Sequence, residues 1–135
     1  MKTSSDKAAR PLILLVEDNA KNVRLFEEIL GANGYRVTVA TEGEQAVELA
    51  RTLQPQLILM DLQLPGMDGC TAAEKLKADP RTSEIPIIAL TAHAMPEHRR
   101  QMLDAGCAGY IAKPISYKPF LAEIASALSG QLQTV

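Results

Sequence analysis

The sequence predicts a doubly wound α/β domain, a parallel sheet with helices on both faces. Three observations carry this. Five short apolar runs of strand type recur along the 135 residues, and a segment of helical periodicity follows each one. The first and third runs are continuously apolar rather than alternating, as strands buried on both faces are. Strict alternation of strand and helix favours a parallel sheet, each connection crossing one of its faces.

The elements read in order. "LILLV", Leu12–Val16, follows a proline and forms the first strand. Asn19 suits the N-cap of a helix whose apolar positions Val23, Phe26, Ile29 and Leu30 recur at helical spacing. "GANG" ends it, since Gly31, Asn33 and Gly34 all tolerate a left-handed backbone. Asn-Gly also marks hairpins, but the helix before it favours a helix stop and a new strand. "RVTVA", Arg36–Ala40, is the second strand. A helix over Gly43–Leu53 turns Ala46, Val47, Leu49 and Ala50 inward.

"LILM" is the third strand, and "CTAAEKLKAD" a helix stopped near Pro80. "PIIALT" is the fourth strand. "MPEHRRQMLDAG" is a helix with Pro96 near its first position and Gly106 just past its end. "GYIAK", residues 109–113, is a short fifth strand. "SYKPFLAEIASAL" closes the domain, with Phe120, Leu121, Ile124, Ala125 and Leu128 on one face. The polar start reads as a flexible tail over 1–10 and "SGQLQTV" as a fraying end. The domain is therefore expected over 11–129, with a C-terminal tail over 130–135.

Composition narrows the function. A net charge of −2 gives no general attraction to nucleic acid or an anionic membrane. Aromatic residues make up 4% and Trp is absent, so no base-stacking platform is expected. No apolar stretch is long enough to span a bilayer, and the N-terminus lacks the apolar core of a signal peptide. A cytoplasmic location is expected. Cys70 and Cys107 form no CxxC and have no His/Cys cluster beside them, which argues against zinc. They read as reduced, small apolar packing residues.

Chemistry gathers at the carboxyl ends of the strands, where open α/β sheets bind their ligands. The first strand ends in Glu17 and Asp18, the third in Asp61, the fourth in Thr91, and the fifth in Lys113 followed by Pro114. Each has an ordinary explanation alone: a first-turn charge pair, a loop cap, a strand threonine, a surface lysine. Their joint placement does not. Three clustered carboxylates repel and raise one another's pKa, and a hard divalent cation resolves this. Mg2+ takes one or two carboxylates, keeps waters and uses phosphate oxygens for the rest. Glu17, Asp18 and Asp61 are the expected ligands, with the backbone carbonyl of Gln63. Asp61, rigidly held at a strand end, then suits a carboxylate nucleophile that forms an aspartyl phosphate. Lys113 and the Thr91 hydroxyl are placed to serve the remaining phosphoryl oxygens.

"VEDN", "LILMDLQLPGMDG", "PIIALTA" and "GYIAKPI" together resemble the receiver domain of two-component response regulators, over residues 12–128. The resemblance implies a flavodoxin-like (βα)5 fold with strand order 2-1-3-4-5. It implies Asp61 as phosphoacceptor, Glu17 and Asp18 as metal ligands, Thr91 as phosphate sensor and Lys113 as counter-ion. Tyr110 matches the rotating aromatic switch, and Ala92 the small residue that leaves a path to the phosphate. The Lys113-Pro114 bond is expected cis, aiming Lys113 at the site. Gln63 and His93 match the positions that tune how water reaches the phosphoryl group. The remaining feature of the loop, "PGMDG", needs no ligand role: Pro65 and the glycines are explained by turn geometry.

"VEDNAKN", with Asn19 and Asn22, is most similar to single-domain regulators of the DivK type and to receivers of hybrid histidine kinases. The expected function is that of a signalling phosphoacceptor rather than an enzyme. Its donor is a histidine kinase or a histidine phosphotransfer protein. Its output is a downstream protein bound through the face of the fourth helix, fifth strand and fifth helix, where Met95, His98, Arg99, Tyr110, Tyr117 and Lys118 are candidates. A receiver fragment of a hybrid kinase, or a pseudo-receiver binding partners without phosphorylation, are the alternatives. A flavin or nucleotide binder of the same architecture would want glycines after the first strand, where Glu17-Asp18-Asn19 stand. A phosphatase-like hydrolase would want an acid two residues past the nucleophile, where Gln63 stands.

Overall fold

Five strands alternate with five helices in the computed structural model, which describes residues 10–133 apart from 65, 68, 93 and 94. The strands are β1 (Leu12–Val16), β2 (Arg36–Ala40), β3 (Leu57–Asp61), β4 (Ile87–Thr91) and β5 (Gly109–Ala112). The helices are α1 (Ala20–Ala32), α2 (Gly43–Leu53), α3 (Gly69–Ala78), α4 (Pro96–Asp104) and α5 (Tyr117–Gln133). All pairings are parallel and the order is β2-β1-β3-β4-β5, as the resemblance implies.

Side chains alternate across each strand and divide the core in two. Leu14, Val16, Ile58, Met60, Ile87 and Ala89 face α2, α3 and α4, meeting Ala46, Ala50, Ala72, Leu76 and Met102. Ile13, Leu15, Leu57, Leu59, Ile88 and Leu90 face α1 and α5, meeting Phe26, Leu30, Phe120 and Ile124. Phe26 and Phe120 tie the two helices together, with ring centroids 5.5 Å apart. Because both faces of β3 and β4 are covered, every residue of these strands is buried.

Some local features differ from the sequence reading, and others add detail to it. Helix α5 continues to Gln133, past the expected end at 128, because Ser129 and Gly130 do not break it and good helix formers follow. Ala125 is exposed and Ala127 packs inward instead: one residue past Ile124 turns about 100° away from the buried stripe. In "GANG" only Gly34 adopts the left-handed conformation, at φ 88°. Helix α2 ends on Gln54 at φ 50°, whose side-chain amide donates to the carbonyls of Ala50 and Arg51.

The strand order matters for function. From β1 the chain runs outward to β2, then returns past β1 to β3. The reversal lies between β1 and β3, so the first residues beyond these two strands share one crevice.

Candidate functional site

Glu17 and Asp61 flank that crevice. Val16 is in register with Met60, so the next residues on the two strands, Glu17 and Asp61, are neighbours. Both are almost completely buried, at 1% and 2% exposure, while Asp18 is exposed. Carboxylate oxygens of Glu17, Asp18 and Asp61 all lie within 4.8 Å of one another. Buried charges of one sign are tolerated only with partners.

Lys113 is the partner common to the two buried ones. Its Nζ donates to Asp61 Oδ2 at 2.9 Å and to Glu17 Oε1 at 3.1 Å. Strand β5 ends at Ala112, one residue before the expected end, yet the Lys113 N–H still donates to the Thr91 carbonyl at 2.7 Å. The Lys113-Pro114 bond is cis, as expected. Burial works against the ammonium, but the hydrogen bonds and negative charge of Asp61 and Glu17 outweigh it and raise the lysine pKa. Burial, reinforced by the hydrogen bond and charge of Asp61, pushes the Glu17 carboxyl above its ordinary range, with Lys113 opposing.

The other oxygens are held by the backbone and by α1. Asp61 Oδ1 accepts from the Gln63 N–H at 2.9 Å, which folds the loop after β3 over the carboxylate. Glu17 Oε2 accepts from the Asn19 N–H at 3.2 Å and from Asn22 Nδ2 at 3.4 Å. Asn19 caps α1 as expected, its Oδ1 accepting from the N–H groups of Lys21 and Asn22.

Thr91 is buried at the end of β4, one residue past the register partner of Asp61. Ala92 follows it, exposed, on the wall of a hollow of about 440 Å3 shared with Asn22, Leu25, Phe26, Lys113, Pro114 and Ile115. Tyr110 is half-buried, packs against the α2–α4 side of the core, and borders a second hollow with Met95, Pro96, Arg99 and Ala112. Gln63 is exposed. His93 and the side chain of His98 lie outside the described residues. Of the other candidates for the output face, Met95 and Tyr117 are about half exposed, and Arg99 and Lys118 are exposed.

One residue of the loop was misread from sequence. Turn geometry accounts for Gly66, at φ 73°, but not for Gly69. Gly69 is the first residue of α3, and a Cβ there would stand 2.8 Å from Leu62 Cα and 2.9 Å from the Asp61 carbonyl oxygen. It is glycine because α3 starts against the backbone of Asp61. The role of Asn22 beside Glu17 was also missed. Its signal was the spacing, since a residue three past the cap returns to the face of α1 above the strand end.

A doubly wound sheet with an acidic trio and a lysine at its switch point defines a class, and the chain belongs to it: the response regulator receiver domain family, whose model matches residues 13–125. The polar-differentiation response regulator DivK of Brucella anthropi is 41% identical over 116 residues, 86% of this chain and 94% of that protein. DivK of Brucella ovis matches at the same identity and coverage. The receiver domain of the sensor histidine kinase PA1611 from Pseudomonas aeruginosa, solved with a magnesium ion coordinated in the active site cleft, is 39% identical with TM-score 0.83. That match covers 90% of this chain and 99% of that one. A CheY-like receiver from Methanospirillum hungatei superposes at TM-score 0.88 with 27% identity, over 94% and 100% of the two chains.

Proposed function

We propose that this receiver accepts a phosphoryl group on Asp61 from a phosphohistidine donor, with Mg2+, and switches a protein-binding face in response. The observation that carries the reading is the cluster itself: three carboxylates within 4.8 Å, with an ammonium 2.9 Å from Asp61. The donor set fits the cation. It consists of hard carboxylate oxygens, two from buried residues and one from an exposed one, which leaves room for waters and phosphate. Glu17, Asp18, Asp61 and the Gln63 carbonyl would hold the cation. Mg2+, when bound, holds phosphoryl oxygens and offsets their charge.

The chain's own residues do the rest. An Asp61 oxygen attacks phosphorus in line. The new P–O bond forms as the P–N bond to the donor imidazole breaks, and the nitrogen keeps the electron pair. Lys113, already on Asp61, pairs with a phosphoryl oxygen as a point charge. The Thr91 hydroxyl donates to another, and Ala92 beside it leaves the approach open. Movement of Thr91 and inward rotation of Tyr110 then shift the population of the α4-β5-α5 face between two states. Gln63 and His93 set how water reaches the phosphoryl group and so its lifetime. The similarity to DivK and to a kinase-borne receiver supports a histidine kinase or a phosphotransfer protein as donor, a downstream protein as target, and action in the cytoplasm.

Intact mass after incubation with acetyl phosphate, with and without Mg2+, tests this. The expected result is a Mg2+-dependent phosphoryl adduct, absent from Asp61→Asn. Absence of an adduct with both acetyl phosphate and a phosphorylated histidine phosphotransfer protein overturns the reading in favour of a pseudo-receiver.

A further inference from the structure

Glu17 uses its two oxygens differently. Oε1 faces Lys113 and, through it, Asp61. Oε2 faces the start of α1, where its donors among the described residues are the Asn19 N–H at 3.2 Å and Asn22 Nδ2 at 3.4 Å. A carboxylate buried to 1% exposure adopts the orientation that satisfies both oxygens, because a buried acceptor left without a donor loses its hydration uncompensated. The Asn19 contribution is main chain and comes with the cap. The Asn22 contribution is a side-chain amide, and it is itself held: the Asn22 N–H is fixed on Asn19 Oδ1 at 3.1 Å, in the first turn of α1. Asn22 also forms part of the wall of the hollow lined by Ala92 and Lys113.

We infer that Asn22 is a positioning residue for the cation site: by donating to Glu17 Oε2 it fixes the carboxylate so that Oε1 is presented toward Asp61. The inference rests on the Mg2+ site proposed above. Partners that orient a metal ligand commonly govern affinity by about 10-fold or more, although they never touch the metal. Asn22 acts by orientation, so its loss weakens Mg2+ binding while leaving the phosphoryl chemistry available once the cation is saturating.

The test compares wild type with Asn22→Leu, of similar size but without a donor, and with Asn22→Ala, which suits a helix if the first does not fold. Mg2+ affinity is measured by calorimetric titration, and adduct formation with acetyl phosphate is followed across Mg2+ concentration. Asn33→Ala, which at the other end of α1 removes hydrogen bonds to the Ile29 carbonyl and the Tyr117 hydroxyl, controls for general loosening of the helix and its packing. The expected result is about tenfold weaker Mg2+ binding in the Asn22 variants, recovery of the rate to within about twofold at saturating Mg2+, and no change in affinity for Asn33→Ala. Unchanged affinity in the Asn22 variants overturns the inference alone, as does an equal loss in the Asn33 control. A wild type that binds no Mg2+ overturns the metal site and the inference together.

Discussion

Gly69 lies so close to Asp61 that a Cβ on it would stand 2.9 Å from the Asp61 carbonyl oxygen and 2.8 Å from Leu62 Cα. Both are main-chain atoms, so no side chain can move aside. Helix α3 therefore abuts the backbone of the residue proposed as the phosphoacceptor, and a side chain at its first position would clash with that backbone.

Gly69→Ala follows from this. Alanine at a helix position would otherwise favour folding by about 0.5–1 kcal/mol. The clash outweighs that, and a net destabilisation of about 1–3 kcal/mol is expected in urea unfolding, together with slower formation of the proposed Asp61 adduct with acetyl phosphate. Gly31 supplies the contrast. It lies within α1 with nothing within 4 Å of an added Cβ, so Gly31→Ala is expected to stabilise by up to about 1 kcal/mol. Equal effects at the two sites would refute the reading of Gly69.

Lys113→Met removes the ammonium shared by Glu17 and Asp61 and leaves two neighbouring buried carboxylates without it. Breaking such a pair costs about 3 kcal/mol. A cation bound by the same carboxylates supplies the missing positive charge, so Mg2+ should stabilise the variant more than the wild type. Urea unfolding of both proteins with and without Mg2+ checks this, and an equal Mg2+ increment in the two would count against the shared role of the carboxylates.

The legibility of fold and site in the sequence follows from what each residue's neighbours are. Strands β1 and β3 were readable because burial on both faces makes them continuously apolar, and Asp61 stood out because a charge ends such a run. Glu17, Asp18, Thr91 and Lys113 were readable as a set because parallel strands deliver their ends to one edge. Gly69 was not, because a glycine in "PGMDG" has an equally good local explanation, and its contact with the Asp61 backbone depends on how α3 docks. Asn22 was hidden for the same reason: its amide partner is five residues back and across a turn. The end of α5 was misplaced because Ser129-Gly130 resembles a stop, while the residues after it carry the helix on to Gln133.

Cys107 gives a pH dependence far from the site. Burial pushes its thiol up to about 11 from an ordinary 9.0; the charge of Lys77 opposes this and Cys70 adds to it. The folded-state value is the higher one, so the stabilising contribution is complete below about pH 9. It is lost as pH rises toward 11, where the unfolded chain gives up the proton and the folded one keeps it. A loss of about 2 kcal/mol over that interval is expected from this group. Urea unfolding at pH 8, 9.5 and 11 should show a steeper alkaline decline for wild type than for Cys107→Ala, and parallel profiles would sink the assignment.

Lys77 holds the opposite end of the domain together. Its Nζ donates to the carbonyls of Ser83 at 3.0 Å and Ile85 at 2.8 Å, bridging α3 to the segment that enters β4. Its stem passes under Gly106, at φ 103°, where an added Cβ would lie 2.9 Å from Lys77 Cγ. One side chain thus joins the turns before β4 and β5. Burial lowers the lysine pKa, yet the two carbonyl acceptors remain satisfied only while a donor reaches them. Lys77→Met keeps most of the stem packing and removes the donors, so its effect isolates the hydrogen bonds. A destabilisation of about 2 kcal/mol is expected in urea unfolding, since bonds from a charged group contribute about 1.5–3 kcal/mol. Because the contacts lie at the end of the sheet away from Asp61, the Mg2+ affinity of the variant should equal that of wild type. A matching loss of Mg2+ affinity would mean that the two ends of the sheet are coupled rather than independent.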